Sequence, residues 1–461
     1  MASKSFYIHN LGCAKNQVDA DIMTRSLEKA GWTLSSEPAE DGTILVNTCS
    51  FIRDAKEESI SSILELRQQY PEATVVATGC LAQRYGADLT EEMEELDGVF
   101  GNRAPGRIAR YLEEQLPSGE RMVAPDERGL EAERANRFSY PGSAYVKIAE
   151  GCDTNCAFCA IPLIRGRLAS RRIDDILREV RELLQEGSRE IVLVAQDLTT
   201  FGRDRGETEG GARERESLMD LLRALSGLDG AFWLRLLYLY PERFPTELPA
   251  LCREDPRILP YFDIPFQHAS REVLRGMSRP GDGARFLSLV REIRREMPDA
   301  VIRSTFMLGY PGETEEAFEE LHRFIRDAEI DWAGFFIYSP EEDTPAYRSR
   351  KIGPRVPKSL ARKRKNLLED LQGEITRRRL DRLVGRTLKV LVEEQVAGED
   401  LAIGRCYAQA PEVDGLVVVR TDSLPSGGDA GAPPAVTPGR VIPVRVLRRN
   451  GVDLEGIPVR P

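Results

Sequence analysis

Residues 151–159 read GCDTNCAFC and place Cys152, Cys156 and Cys159 in a CxxxCxxC spacing, just after a strand-like stretch that begins at Ala144. Three thiolates on one loop can hold three irons of a four-iron cluster, and no fourth cysteine lies nearby in the sequence. One iron would then keep an open coordination position. An open metal position indicates that a substrate or cofactor binds there.

Two other interpretations of this loop stay open, namely a zinc site completed by a remote ligand and three unrelated cysteines. Zinc sites normally use CxxC pairs, and the only imidazoles in the chain are His9, His268 and His322. The spacing therefore favours the open four-iron cluster.

Strand-like and helix-like segments alternate on the C-terminal side of this loop. The predicted strands are AYVKIAEG from residue 144, EIVLVAQD from 190, FWLRLLYLYP from 232, YFDIPFQH from 261, VIRSTFMLGYP from 301 and WAGFFIYSP from 332. Six βα repeats predict a partial (βα)6 barrel over 143–357, with its site at the C-terminal ends of the strands.

The flanking regions predict two further domains and place the chain in the α/β class. Residues 1–125 alternate strands with helices, which is typical of a parallel α/β domain. Residues 126–142 are polar and predict a linker, and 358–382 predict a basic connecting helix. The short strands and turn signals of 383–461 predict a small antiparallel β-barrel.

A second cysteine trio is spread along the N-terminal domain. Cys13, Cys49 and Cys80 each come just past a predicted strand and before a helix. Such positions meet at one edge of an open parallel sheet, where ligands bind. One buried cysteine is usually core packing, but three at equivalent strand ends favour a second cluster with an open iron. Cys252 and Cys406 lack this context, and we expect both to be structural.

Composition narrows the class of protein. The chain has 461 residues, with 64 Lys and Arg against 75 Asp and Glu, and a net charge of −11 argues against indiscriminate nucleic-acid binding. Eight cysteines are too few for a disulfide scaffold, so a reducing compartment is expected. No apolar run approaches the roughly 18 residues of a membrane span, and the first residues lack a signal sequence. We expect a cytoplasmic monomer with no membrane association.

The cysteine loop, with Phe158 before its last cysteine and a βα barrel after it, resembles the radical S-adenosylmethionine (SAM) superfamily. The resemblance implies a [4Fe-4S] cluster whose open iron chelates SAM and whose electron cleaves it to a 5′-deoxyadenosyl radical. It also implies that the backbone at Phe158 reaches the adenine and that polar groups at later strand ends hold the rest of SAM. Gln196 and Asp197 fit that role, and ordinary capping of the strand end is an equally open interpretation.

Over its whole length the chain resembles the methylthiotransferases, and its terminal barrel is similar to a TRAM domain. Members insert sulfur at an unactivated C–H bond and methylate that sulfur. The resemblance implies two [4Fe-4S] clusters, two SAM per turnover, a sulfur donor, and an electron donor such as flavodoxin or ferredoxin. The two best-known branches modify an aspartate (at its β-carbon) of small-subunit ribosomal protein twelve or an adenosine of tRNA.

Four local motifs resemble the aspartate-modifying branch. They are LGCAKNQVDAD (11–21), VNTCSFIRDAKEESI (46–60), YFDIPFQHAS (261–270) and TFMLGYPGET (305–314). The tRNA branch tends to carry GCQMN in the first motif and Gln-Ser in place of Gln267-His268. Ser50 and Ala20 depart from the usual glycine and serine, but neither departure removes a ligand.

Charge favours the same branch weakly. The terminal domain carries nine Lys and Arg against ten Asp and Glu, which suits a basic protein better than tRNA. The basic helix at 358–382 keeps the tRNA alternative open. A two-cluster electron-transfer protein is the other alternative, although it would need neither open irons nor a substrate-sized barrel. No residue is identified as the general base for methyl transfer.

Overall fold

The computed structural model describes residues 4–126, 129–130, 133–205, 216–349, 353–421 and 436–460, and three large sheets organise them. The N-terminal sheet is parallel throughout, in the order β2-β1-β3-β4-β5-β6. Its strands are β1 (Ser5–Asn10), β2 (Thr33–Leu34), β3 (Thr43–Thr48), β4 (Thr74–Thr78), β5 (Gly98–Gly101) and β6 (Met122–Val123). Its helices are α1 (Ala14–Lys29), α2 (Arg53–Gln69), α3 (Gly79–Glu92) and α4 (Ile108–Arg110).

The strand order of this sheet explains where a ligand can bind. Strand β2 lies on one side of β1, whereas β3, β4 and β5 continue on the other side. The connections after β1 and β3 therefore leave the sheet in opposite directions. In open α/β sheets such a switch point opens a crevice at the carboxyl ends of the strands.

The central sheet also contains only parallel pairs, in the order β14-β13-β12-β11-β10-β7. Its strands are β7 (Ser143–Lys147), β10 (Glu190–Val194), β11 (Trp233–Leu236), β12 (Ile258–Asp263), β13 (Val301–Leu308) and β14 (Trp332–Ile337), and a small hairpin joins β8 (Ala149–Glu150) to β9 (Ala169–Ser170). The helices of this region are α5 (Ile161–Ile164), α6 (Ile173–Gln185), α7 (Leu218–Ser226), α8 (Leu248–Glu254), α9 (Arg271–Gly276), α10 (Gly283–Glu296), α11 (Glu315–Ala328) and α12 (Pro345–Arg348). Strand order follows chain order, and the partial six-stranded parallel barrel is confirmed.

A long helix, α13 (Lys358–Asp381), connects to a closed five-stranded barrel. The barrel strands are β15 (Thr387–Gln395), β16 (Leu401–Arg405), β17 (Val417–Arg420), β18 (Val441–Asn450) and β19 (Asp453–Pro458). Four of the pairings are antiparallel, but β17 and β19 run parallel. The predicted barrel is present, but the prediction that it is antiparallel is wrong for the pair β17 and β19. Strand directions cannot alternate all the way around a ring with an odd number of strands.

The inner face of the central sheet is covered by the other two regions. Apolar residues of α1, of the sheet and of the C-terminal barrel form one hydrophobic cluster, which includes Val18, Val192 and Val390. Arg405 ties the barrel to the beginning of β10 through an ion pair with Glu190 at 2.6 Å. The hydrophobic cluster also includes Ala14, which follows Cys13, so the start of α1 packs against the central sheet. Among the described residues, no helix combines the length and apolarity that a bilayer span requires.

Candidate functional site

The N-terminal cysteines follow three strands of one sheet, as expected. Cys13 is the N-cap of α1, Cys49 directly follows β3, and Cys80 lies in the first turn of α3. Cys13 is exposed, Cys49 is partly buried, and Cys80 is buried. Three sulfurs thus surround the crevice at the end of the sheet.

Asn16 holds the connections of this crevice together. Its amide donates hydrogen bonds to the carbonyls of Leu11 at 3.0 Å and Thr48 at 2.9 Å. Its Oδ1 lies 3.9 Å from the sulfur of Cys13 and 3.6 Å from that of Cys80. The side chain therefore fixes the connections after β1 and β3 to each other and approaches two of the three thiols.

Arg165 connects this crevice to the central region. Its guanidinium donates to Asp19 at 2.9 Å, to Glu150 at 3.0 Å and to Asn16 at 2.8 Å. The same group lies 3.4 Å from the sulfur of Cys80. Hydrogen bonds to sulfur ligands are a common feature of iron–sulfur sites, so the surroundings of Cys80 fit a cluster ligand.

The electrostatic setting of the three thiols differs. Although Cys13 is exposed as a residue, desolvation of its thiol by the surrounding protein acts to raise the pKa, and the neighbouring Lys15 and Arg165 outweigh this effect and lower that pKa. Burial raises the pKa of Cys49, and it raises the pKa of Cys80 to about 12 against the opposing charge of Arg165. Of these three thiols, that of Cys13 is therefore the one most readily deprotonated.

The second trio lies on the loop after β8. The amide of Ala157, between Cys156 and Phe158, donates to the carbonyl of Met277 at 2.9 Å and anchors the loop to the barrel. The sulfur of Cys156 lies 4.0 Å from the hydroxyl of Tyr240. Cys152, Cys156 and Cys159 are all partly buried, and burial raises the pKa of Cys159 to about 12.

The two cysteine loops meet directly. Cys80 packs with Ala160 and Ile164 in one small apolar cluster. Ala160 is the neighbour of Cys159, so a residue of the N-terminal trio contacts the segment that carries the second trio. The sequence predicted each trio separately, but it did not predict this contact.

Neither cysteine trio, as the structure describes it, is arranged to bind a single metal ion such as zinc. Within the described residues, no three side chains of His, Cys, Asp or Glu approach closely enough to share one metal ion. His268, an imidazole of the zinc alternative, is buried, and its Nδ1 accepts a hydrogen bond from the Ser270 amide at 3.0 Å. Cysteine ligands of a four-iron cluster lie farther apart because each binds a different iron.

The predicted SAM contacts have different surroundings. Both amide atoms of Gln196 are buried without a hydrogen-bond partner among the described residues, which leaves them free for a ligand. Asp197 instead caps the following turn, where it accepts from the Thr199 amide at 2.9 Å, and it forms an ion pair with Arg243 at 2.6 Å. Phe158 is partly buried against the barrel core. The SAM role of all three stays a prediction.

Several site residues were not identified from the sequence. Asn16 could have been found, since a buried Asn three positions after a cysteine that begins a helix is well placed to bind backbone carbonyls. Arg165 carries no strong local signal, because all of its partners named here except Glu150 lie more than 80 residues away in the N-terminal domain. Cys252 and Cys406 are buried in apolar clusters, in line with the expected structural role.

Three family models match the chain. The uncharacterized protein family UPF0004 matches residues 5–101, the radical SAM superfamily 146–325 and the TRAM domain 384–459. The solved cobalamin-containing radical SAM methyltransferase TsrM of Kitasatospora setae has a TM-score of 0.53 and 16% identity, over 75% of this chain and 77% of that one. This similarity shows a common fold.

Curated relatives match over nearly the whole length. The ribosomal protein uS12 methylthiotransferase RimO of Treponema denticola is 39% identical over 97% of this chain and 99% of that protein. The protein of the same name from Sorangium cellulosum is 40% identical over 99% of this chain and 91% of that protein. With this identity and coverage, the chain belongs to the radical SAM family of ribosomal protein uS12 methylthiotransferases.

Proposed function

We propose that this chain replaces a β-carbon hydrogen of an aspartate in ribosomal protein uS12, the small-subunit protein twelve, by a methylthio group. The observation that carries the proposal is the direct contact between the two cysteine loops, at Cys80 and Ala160, in a chain related over its full length to uS12 methylthiotransferases. Two adjacent cysteine sites allow one to start radical chemistry and the other to deliver sulfur to the same carbon.

The side chains divide between the two sites. Cys152, Cys156 and Cys159 would hold the cluster that binds SAM, with Gln196 and Phe158 as SAM contacts. Cys13, Cys49 and Cys80 would hold the second cluster, supported by Asn16 and Arg165. When bound, these groups supply one-electron cleavage of SAM and a source of sulfur.

The proposed stoichiometry follows from the bonds that change. One electron from the donor cleaves one SAM to methionine and a 5′-deoxyadenosyl radical, which takes the β-hydrogen of the aspartate and leaves as 5′-deoxyadenosine. The carbon radical then bonds to sulfide-level sulfur, and the electron released in this step would return to the N-terminal cluster. A second SAM transfers its methyl group to that sulfur and leaves as S-adenosylhomocysteine. An electron donor such as flavodoxin or ferredoxin and a separate sulfur donor are needed. We expect the protein to act in the cytoplasm as a monomer.

The basic helix α13 weakens the tRNA alternative. Arg364 is buried and pairs with Glu313 at 2.6 Å, and Arg379 is buried and pairs with Asp331 at 2.5 Å. Charges held in such ion pairs are not free to neutralise phosphates. Part of the basic run therefore serves packing against the barrel.

Iron content tests the two-cluster arrangement. The reconstituted anaerobic protein should bind about eight irons, and changing Cys152, Cys156 and Cys159 together to Ala should leave about four. The matched variant changes Cys252 and Cys406 to Ala and should keep about eight. A barrel-trio variant that retained all its iron would contradict the assignment.

SAM cleavage separates the roles of the two trios and tests the electron-carrier alternative. Changing Cys13, Cys49 and Cys80 to Ala should preserve reductive formation of 5′-deoxyadenosine and abolish sulfur insertion. A pure electron carrier would form no 5′-deoxyadenosine from SAM and reductant. Full methylthio product from this variant would mean that the N-terminal cysteines are structural.

A further inference from the structure

Lys15 places a buried cation beside the N-terminal cysteines, at the carboxyl ends of the central strands. It lies in the first turn of α1, two residues after Cys13, and is only 7% exposed. Its Nζ lies 3.4 Å from the carbonyl of Ala195, which follows β10, and 3.8 Å from the ring centroid of Tyr238, which follows β11. The N-terminal domain thus places an ammonium at the carboxyl ends of the central strands, where (βα) barrels bind substrates.

Among the residues that the structure describes, this ammonium has no carboxylate partner, unlike the other cations around the site. The other cations each have a carboxylate within 4 Å: Lys147 and Arg165 pair with Asp19 and Glu150, Arg243 with Asp197, Arg279 with Glu242, and Arg303 with Asp263. No described carboxylate lies within that distance of Lys15. An unpaired buried cation is costly, so its surroundings favour an anionic ligand.

The ring of Tyr238 packs against the Lys15 ammonium, and the backbone of Tyr238 is held in place by its surroundings. Its backbone has φ +69°, and its amide donates to the carboxylate of Asp263 at 3.1 Å. A left-handed backbone at a bulky residue persists only where its surroundings hold it, and such strain concentrates at ligand sites. The ring covers one side of the ammonium, and the neighbouring Cys13 is exposed. A substrate can therefore approach from the side of the cysteines.

We propose that Lys15 binds the carboxylate of the substrate aspartate and thereby selects a carboxylate-bearing side chain. The inference rests on the proposed function. The β-carbon of aspartate is bonded directly to its carboxylate carbon, so an ion pair with Lys15 would hold the reacting carbon at the carboxyl ends of the central strands, on the side of Cys13. Lys15 is a substrate-binding residue here and takes no part in proton transfer.

Binding of purified uS12 to the reconstituted protein tests this role. The probes are uS12 with its target aspartate and the same protein with that aspartate changed to Asn, which removes the charge and keeps the shape. The enzyme with its natural Lys15 should bind the aspartate form about 10- to 100-fold more tightly than the Asn form, as expected for a charge-assisted hydrogen bond. Lys15→Met should bind both forms equally, whereas Lys15→Arg should keep the preference.

Lys29→Met is the matched control, because Lys29 lies on the same helix, is exposed and pairs with Glu133. It should keep the full preference for the aspartate form. Iron content and the electron paramagnetic resonance (EPR) spectrum of the N-terminal cluster are measured in each variant, since the Cys13 thiolate is the other anion near Lys15. Lys15→Met should retain about eight irons and an unchanged spectrum.

The outcomes separate this inference from the proposed function. If the unmodified enzyme methylthiolates uS12 and Lys15→Met still prefers the aspartate form, the inference is wrong and the function stands. If Lys15→Met loses iron or changes the spectrum, Lys15 serves the cluster and the inference is again wrong. If the unmodified enzyme neither binds nor modifies uS12, the proposed function fails and the inference fails with it.

Discussion

Arg165 shows at the scale of one residue how the site depends on buried charge. It pairs with Asp19 and Glu150, and Lys147 is the other cation on these two carboxylates. Arg165→Met leaves two buried carboxylates with one cation, so the free energy of unfolding should fall by about 3–5 kcal/mol. Chemical denaturation measures the change. Arg110→Met, in an exposed pair with Glu114, should cost less than about 1 kcal/mol, and equal effects of the two changes would contradict this account.

His268 should make stability depend on acidity. Burial, with a smaller contribution from the charge of Arg364, lowers its pKa to about 3. Glu313 lies 3.7 Å away and would ordinarily raise that pKa, but its carboxylate is held by Arg364, so burial dominates. The unfolded chain binds this proton near pH 6.5 and the folded chain near pH 3. Stability from this group is therefore complete above pH 6.5 and is lost as the pH falls from 6.5 to about 3.

The slope of this loss is up to about 1.4 kcal/mol per pH unit. His268→Asn should remove this contribution and flatten the dependence of the free energy of unfolding on pH over the same interval. His322→Asn, at a partly buried position, is the control. Unfolding curves between pH 7 and pH 4 provide the measurement, and an unchanged slope in the His268 variant would rule out the explanation.

At the scale of an element, Gly79 determines how β4 leads into the helix that carries Cys80. Its φ is +88°, and a Cβ there would lie 2.6 Å from both Asn47 Oδ1 and the Thr48 carbonyl. Gly79→Ala should displace the start of α3 and reduce the iron content from about eight toward about four. Gly31→Ala, at φ +82° with open space around it, should keep its iron and lose only about 1 kcal/mol of stability. Equal iron content in both variants would contradict the proposed place of Cys80.

The elements that sequence predicts well are those with strong local patterns. The stretch TILVNT coincides with β3, and each of the six predicted barrel strands is present. The fourth of these strands begins at Ile258, three residues before the predicted start. The prediction began after Pro260 because proline usually interrupts a strand. A register shift in the pairing of β11 with β12 accommodates it. Whether a strand can contain a proline depends on its pairing with the neighbouring strand, and the local sequence does not show this.

At the scale of the whole molecule, the three regions share buried charge and core. Arg405 of the terminal barrel pairs with Glu190 of the central sheet, and the indole of Trp332 donates to the carbonyl of Ala408 at 2.8 Å. These long-range partners could not be predicted, because spacing along the chain does not specify which domains touch. Arg405→Met leaves Glu190 and Glu393 short of a cation and should lower the free energy of unfolding by about 3–5 kcal/mol. Denaturation of this variant and of Arg448→Met, an exposed barrel arginine, tests the difference.

The direct test of the central claim is mass spectrometry of the product. The reconstituted protein is incubated with SAM, a reductant and either purified uS12 or tRNA. Exchange of hydrogen for a methylthio group adds about 46 Da, a covalent change that fragmentation assigns to one residue or nucleoside. We predict this gain on an aspartate of uS12, with one 5′-deoxyadenosine and one S-adenosylhomocysteine per modification. The same gain on a tRNA adenosine, with uS12 unmodified, would contradict the claim.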